Sequence, residues 1–335
     1  MKFFEAKDYN DCLDLRETQV AIKLLKDSFE AFLSSELHLM RVSAPLFVTT
    51  DTGLNDNLNG LEHAVTFNSK DLSDKTVEIV HSLAKWKRLA LWKYGFEEGS
   101  GLYTDMNAIR KNETFSNIHS LYVDQWDWEK IISIKERNVE YLESTVRKIY
   151  QAIKETGSYL KKEYYYLNID LPEDIFFITT QELEDIYPEL SSKERETEIT
   201  KKYKAVFLKN IGDILKSGKA HDSRSPDYDD FSLNGDILVW NPIIKDAFEL
   251  SSMGIRVNKE QLIEQLTKTN KLERLNFEYH QLLLKDKLPQ TIGGGIGQSR
   301  LCMFYLNKQH IGEVQASYWP ESILVKCKKE KINLL

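Results

Sequence analysis

The segment Gly293-Gly294-Gly295-Ile296-Gly297-Gln298-Ser299-Arg300 constrains this chain more than any other stretch. Glycines at that density remove side chains where backbone must come close to something, either a flat or charged ligand or a neighbouring strand. On the residues alone both readings stand. No lysine follows the last glycine, which excludes the Walker phosphate loop, and the spacing does not open a βαβ unit with GxGxxG, which excludes the dinucleotide fingerprint. What remains is a glycine-rich strand feeding a helix over 301–307. Arg300 falls near the first turn, where a guanidinium can stack on a base or pair with phosphate.

Around that strand the apolar pattern predicts mixed structure. Val20, Ile22, Leu24, Leu25, Phe29, Phe32, Leu33 and Leu37 recur largely at three- and four-residue steps, the period of an amphipathic helix over 13–37. Residues 39–48 are apolar and β-branched but interrupted by Pro45, which suits only an edge strand or a bulge, a place where a partner subunit often packs. A second helix is expected over 139–160, and strands at 175–180, 205–208 and 237–240. Residues 191–204 read as a solvated helix and 212–230 as a loop. Helices and strands do not alternate regularly, so the expected fold class is α+β, an antiparallel β-sheet flanked by helices, in a single domain spanning 1–335.

Composition narrows the partners. The formal charge is −7 with acids and bases interspersed, so the basic footprint that phosphate-backbone binding needs is missing and no nucleic acid is expected. Cys12, Cys302 and Cys327 are an odd set without CxxC spacing, and the seven histidines lack metal-ligand spacing, so neither disulfides nor zinc are expected and a reducing cytoplasm fits. Residues 1–10 are polar rather than a signal-peptide core, and no apolar run approaches the roughly 20 residues of a membrane helix, so neither export nor membrane insertion is expected.

The glycine strand ending in Arg300 resembles motif 3 of class II aminoacyl-tRNA synthetases, where such an arginine opens a helix and holds ATP. His81-Ser82-Leu83-Ala84-Lys85-Trp86-Lys87 resembles the aspartyl enzymes' segment whose last lysine binds the aspartate side chain, a role that carries to Lys87 and not to Lys85. Arg110, with Gln125-Trp126-Asp127-Trp128-Glu129 fifteen residues on, is similar to motif 2, whose arginine grips the α-phosphate. Asn112 stands where motif 2 has an acid, and Glu113 receives no role. Phe248-Glu249-Leu250-Ser251-Ser252-Met253-Gly254-Ile255-Arg256 resembles the segment whose glutamate binds the metal of ATP and whose arginine pairs with the substrate carboxylate. Pro45 resembles the motif 1 proline of the dimer interface. These segments run in the family's order from about residue 20 to residue 310. With Asp56-Asn57-Leu58, Tyr122 to Glu129, Pro226-Asp227-Tyr228-Asp229-Asp230 and Leu233 to Pro242, the likeness is closest to the aspartate-ammonia ligases, the ammonia-dependent asparagine synthetases.

The resemblance implies a homodimeric ligase that joins L-aspartate and ammonia at the expense of ATP, through a β-aspartyl-adenylate. Its expected catalytic residues are Lys87, Arg110, Asp229, Arg256 and Arg300. Asp56, Ser82, Lys87, Gln125, Asp127, Ser251 and Arg256 are expected to bind substrate. Arg110, Ser120, Asp236, Glu249, Ser252, Gly295, Gly297 and Arg300 are expected to bind nucleotide. A triphosphate travels with a divalent cation, for which Asp236 and Glu249 are the expected Mg2+ ligands. Trp126 and Trp128 are expected to be core. The alternatives are an aspartyl- or asparaginyl-tRNA synthetase paralogue, or a regulator binding amino acid or nucleotide without turnover. Barely a dozen residues precede the first helix and about 35 follow motif 3, so no anticodon-reading domain is expected. No cysteine follows Met1, and no Cys/His pairing suggests a glutaminase, which points to ammonia as nitrogen donor.

Overall fold

The computed structural model describes residues 11–56, 62–72, 75–167 and 171–335; Asn57, Leu58 and residues 1–10, used above, lie outside the described residues. The first helix, α1 (Leu15–Leu37), starts at a capping box in which the Asp14 carboxylate accepts from the first-turn amides and Glu17 reaches back to the cap. Its buried residues Ala21, Leu25, Phe29, Leu33 and Leu37 fall at four-residue steps, one face of the helix. Val20, counted into the apolar pattern above, lies off that face and is exposed. After α1 come β1 (Leu39–Arg41), β2 (Phe47–Thr49), β3 (Thr66–Phe67), β4 (Val77–Ile79) and α2 (Ala84–Lys93). The long strands β5 (Gly101–Ile109) and β6 (Tyr122–Ile131) precede α3 (Val139–Glu163), β7 (Phe176–Thr179), α4 (Thr180–Ile186), α5 (Ser192–Tyr203) and β8 (Ala205–Lys209). Then follow β9 (Asp229–Asn241), β10 (Asp246–Arg256), α6 (Lys259–Lys268), α7 (Glu278–Leu284), β11 (Thr291–Gly297), α8 (Gln298–Tyr305) and α9 (Glu321–Lys329).

Eight strands form one sheet in the order β1-β5-β6-β11-β10-β9-β8-β7, and β2-β4-β3 form a small second sheet. The five inner pairings of the large sheet are antiparallel. The sheet expected to be antiparallel is therefore mixed, because β1/β5 and β7/β8 run parallel. Long connections cause this: α2 and the small sheet intervene before β5, and α4 with α5 before β8, and a crossover returns the chain in its original direction. The strand expected over 39–48 is two strands in different sheets. Pro45, with no N–H to give, falls between them, and β1 does lie on a sheet edge.

One face of the large sheet carries the main core. Trp126 and Trp128 point there with no exposure, as expected of core residues, packed among α1, α3 and α8. Phe29 of α1 lies 4.6 Å from Trp126, whose indole N–H donates to Glu30. Strand alternation then turns Gln125, Asp127 and Glu129 to the opposite face, which the short helix α2 only partly covers. Replacing Phe29 with alanine removes this contact; the F29A variant is expected to lose about 3–5 kcal/mol in urea unfolding.

Candidate active site

On the face opposite the main core lies a cavity of about 500 Å3, lined by residues of α2, β6, β9, β10, β11 and the loops at 110–120 and 222–228. The glycine run faces it for a steric reason. Gly293, Gly295 and Gly297 stand opposite Glu129, Asp127 and Gln125 in the β11/β6 ladder. A Cβ on Gly293 would lie 1.9 Å from Glu129 Oε2, and one on Gly295 2.5 Å from Gln125 Oε1 and 2.7 Å from Asp127 Oδ1. The missing side chains make room for polar side chains of the next strand, so the close-packing reading of the run holds at these positions.

That room holds a buried ionic chain. Glu129 takes Arg256 bidentately, with Nη2 to Oε2 at 2.7 Å, Thr291 donates to Glu129 Oε1 at 2.7 Å, and Arg256 Nη1 also pairs with Asp229. Burial opposes the charge on Glu129, yet Arg256 and Lys87 hold its carboxyl below the usual range. Helix α2 inserts three cations. Lys87 Nζ donates to Gly294 O at 2.8 Å and pairs with Asp127 Oδ2 at 3.1 Å. Lys85 reaches Asp227, which also meets Arg274 and His280, and Arg88 donates to the carbonyls of Pro289 and Val257. Desolvation pulls Lys87 below the usual ammonium range. Asp127 Oδ1 remains buried without a hydrogen-bond partner among the described residues, an arrangement that favours an incoming donor. Tyr228 donates to Asp56 Oδ2 at 3.0 Å on the same wall.

The other end of the cavity gathers Arg110, Arg224 and Arg300 beside Asp236 and Glu249. Arg300 donates through Nη1 to the Glu249 carbonyl at 3.0 Å and through Nη2 to His119 Nε2 at 3.1 Å. A guanidinium only donates, so His119 Nε2 accepts and its proton resides on Nδ1, directed at Ser116 Oγ 2.9 Å away. Burial, then the Arg300 charge, lowers His119 to about 4, so it is neutral. Arg110 lines the same end, its Nε buried without a partner among the described residues. Arg224 bridges Asp236 at 2.7 Å and Ser252. Burial raises Asp236 to about 6, with Arg224 opposing and the Glu249 charge adding. Glu249 and Ser252 share this wall because the β10/β9 ladder shifts register between Glu249 and Ser251.

A family profile described as aspartate-ammonia ligase matches residues 16–331. The chain belongs to the aspartate-ammonia ligase family. Its relatives in that family include the aspartate-ammonia ligase of Clostridium tetani, 59% identical and aligned over 98% of this chain and 96% of the relative. The Lactobacillus johnsonii ligase is 56% identical over 98% of each chain. In fold, the chain resembles Pyrococcus horikoshii asparaginyl-tRNA synthetase complexed with asparaginyl-adenylate. The TM-score is 0.65 at 16% identity, covering 90% of this chain and 70% of that one. Entamoeba histolytica aspartyl-tRNA synthetase superposes with a TM-score of 0.58, over 90% and 59%. The expected class II synthetase-like α+β architecture is thus found, with the mixed sheet described above.

In this member of the ligase family, Asp56, Ser82, Lys87, Arg110, Ser120, Gln125, Asp127, Asp229, Asp236, Glu249, Ser252, Arg256, Gly295, Gly297 and Arg300 all line the one cavity. Ser251 does not. It alternates to the core face with Met253 and Ile255, and its buried Oγ has no partner among the described residues, so the expectation that it binds substrate is corrected. Ser120 lines the cavity while donating to Gln315 Oε1 and the Tyr122 carbonyl. The sequence reading missed Glu129, His119, Arg224 and Lys193. Glu129 alternates with the core tryptophans beside Asp127, a signal available in the sequence; Arg224 comes from a segment read as loop, Lys193 from one read as solvated helix, and His119 from a stretch that carries no expectation. Unfolded, His119 takes up a proton near its ordinary 6.5, whereas folded it does so only near about 4. The stability it contributes as a neutral group is complete above that window and lost as pH falls through it. H119Q cannot titrate, so the wild-type advantage over H119Q in urea unfolding is expected to shrink by about 1–3 kcal/mol between pH 7.5 and pH 4.5.

Proposed function

We propose that this cavity makes L-asparagine from L-aspartate, ammonia and ATP by way of a β-aspartyl-adenylate, releasing AMP and pyrophosphate. One observation carries the reading: Lys87, Arg110, Arg256 and Arg300 converge on one cavity in a chain of this family. A carboxylate is a poor acyl donor, and adenylation gives it a leaving group. Lys87 and Arg256 receive the aspartate β-carboxylate with donors not spent on Asp127, Glu129 and Asp229. The unpartnered Asp127 Oδ1, with Gln125 and Asp56, takes the α-ammonium. Because a buried cation rejects a substrate that leaves it unpaired, this end selects for an acidic side chain.

The β-carboxylate oxygen attacks the α-phosphorus, and the bond to the bridging oxygen breaks with its electron pair leaving on pyrophosphate. Arg110 and Arg300 offset charge on the phosphoryl oxygens, and fixed positioning supplies much of the rate. Ser120, Ser252, Gly295 and Gly297 flank the nucleotide. Asp236 and Glu249 fit Mg2+: two carboxylates whose like charges oppose each other, without a third clustered acid or histidine among the described residues, suit an ion carried mainly by phosphate oxygens. Bound there, the ion would neutralise phosphate charge. Ammonia then attacks the acyl carbon and AMP departs, with Asp229 beside the reacting group. Near-complete alignment with aspartate-ammonia ligases, against a fold-level likeness to tRNA synthetases, supports ammonia over tRNA as acceptor.

The same reading covers assembly and location. We infer a homodimer through edge strand β1 and the segment leading from it into β2, where Met40, Leu46 and Phe47 are exposed. Among the described residues no helix is long and apolar enough to cross a membrane, and an ATP-consuming ligase whose three cysteines lack CxxC spacing is assigned to the reducing cytoplasm. Pyrophosphate release from ATP with aspartate, assayed with ammonia, glutamine or tRNA as acceptor, tests the main reading. AMP formation that required tRNA would overturn it. Arg110→Ala is expected to lower kcat about 100- to 1000-fold with an unchanged melting temperature. Met40→Asp is expected to shift sedimentation from dimer to monomer, and a wild-type monomer would end the assembly inference.

A further inference from the structure

Helix α5 reads from sequence as a solvated surface element, yet its first-turn residue Lys193 lines the cavity. The side chain is 66% exposed, and Nζ pairs with Glu196 at 3.1 Å and with Asp222 at 3.2 Å. Those carboxylates have partners of their own. His221 Nε2 lies 2.9 Å from Glu196 Oε1, and Asp222 Oδ1 accepts the Ser223 amide at 2.7 Å. Lysine can therefore leave both without orphaning either, and being largely solvated it loses little on moving.

Its neighbourhood is the nucleotide end. The Lys193 charge acts on both Glu249 and His119, the two groups that flank Arg300. Although desolvation opposes it, Glu196, Asp222 and Glu249 hold Lys193 above the ordinary ammonium range, so it carries a full positive charge at neutral pH. Arg110 and Arg300 already serve the α-phosphoryl in the reading above. A triphosphate extends further, and the charge released in adenylation collects on its far end.

We propose that Lys193 is a phosphate-binding residue that leaves Glu196 and Asp222 to contact the β- and γ-phosphates of ATP and the departing pyrophosphate. The inference rests on the adenylating function proposed above. As the carboxylate oxygen–phosphorus bond forms, the bond between the α-phosphorus and the α–β bridging oxygen breaks and its electron pair stays on pyrophosphate. Lys193 transfers no proton; it offsets the charge that gathers there. Its compact ammonium on a flexible stem suits a group that must swing between two sets of oxygens.

Full-length wild type, Lys193→Ala and Lys193→Arg are compared in asparagine synthesis, in inhibition by added pyrophosphate, and in AMP binding by calorimetry. Lys193→Ala is expected to raise the KM for ATP and the inhibition constant of pyrophosphate each about tenfold, the worth of one charge-assisted contact. KM for aspartate and AMP affinity should not move, because neither ligand has a β-phosphate, and Lys193→Arg should restore most of the loss. Unchanged pyrophosphate inhibition in an active Lys193→Ala overturns the assignment. So does an equal loss of AMP affinity, which marks a structural role. A wild-type protein that forms no pyrophosphate overturns the underlying function as well.

Discussion

Arg256, enclosed with the carboxylates of Glu129 and Asp229, is the interaction around which the cavity is organised. Three strands meet in it: β6 supplies Glu129, β9 supplies Asp229 and β10 the guanidinium. A buried cation needs partners whose own positions are fixed, and here the fixing runs back to Gly293, where any side chain would occupy the space of Glu129. The same chain reaches outward through Asp229, whose neighbour Tyr228 lies under the Arg256 guanidinium at 5.6 Å and holds Asp56. Backbone shape at one strand thus sets side-chain placement across half the site.

The cavity is electrostatically divided. At the end proposed for aspartate, each cation is already matched by carboxylates, so a ligand there meets directed hydrogen-bond donors and acceptors more than net charge. At the end proposed for the nucleotide, Arg110, Arg300 and Lys193 converge, Arg110 with its Nε lacking a partner among the described residues, and the histidine among them is kept neutral. One end suits recognition by geometry, the other stabilisation of accumulating negative charge.

The sequence made much of this legible where periodicity and motif spacing act locally. The four-residue steps of α1, the glycine strand opening α8, and the Trp126/Trp128 core side of β6 all follow from local pattern. Parallel edges were not legible, since strand direction depends on what a connection packs against. Nor was Ser251: its parity on β10 is readable only once the register shift is known. Arg224 and Lys193 escaped for a related reason, because a charged residue in a loop or on a polar helix looks solvated until tertiary structure turns it inward. The glycine run leaves open from sequence whether a ligand or a neighbouring strand comes close, and at Gly293 and Gly295 the occupants are side chains of β6.

The irregularity in β10 has a consequence for how such chains can be recognised. Glu249 and Arg256 are seven positions apart, and in an unbroken strand an odd separation sends two side chains to opposite faces. They share a cavity only because the ladder slips by one between Glu249 and Ser251. An acid and an arginine at odd spacing inside a strand, both bound for one ligand, therefore announce a bulge before any coordinates exist. The same arithmetic ties the spacing to the slip: closing it with the residue kept would turn one of the pair into the hydrophobic interior, whereas losing the extra residue would leave acid and arginine six positions apart on one face.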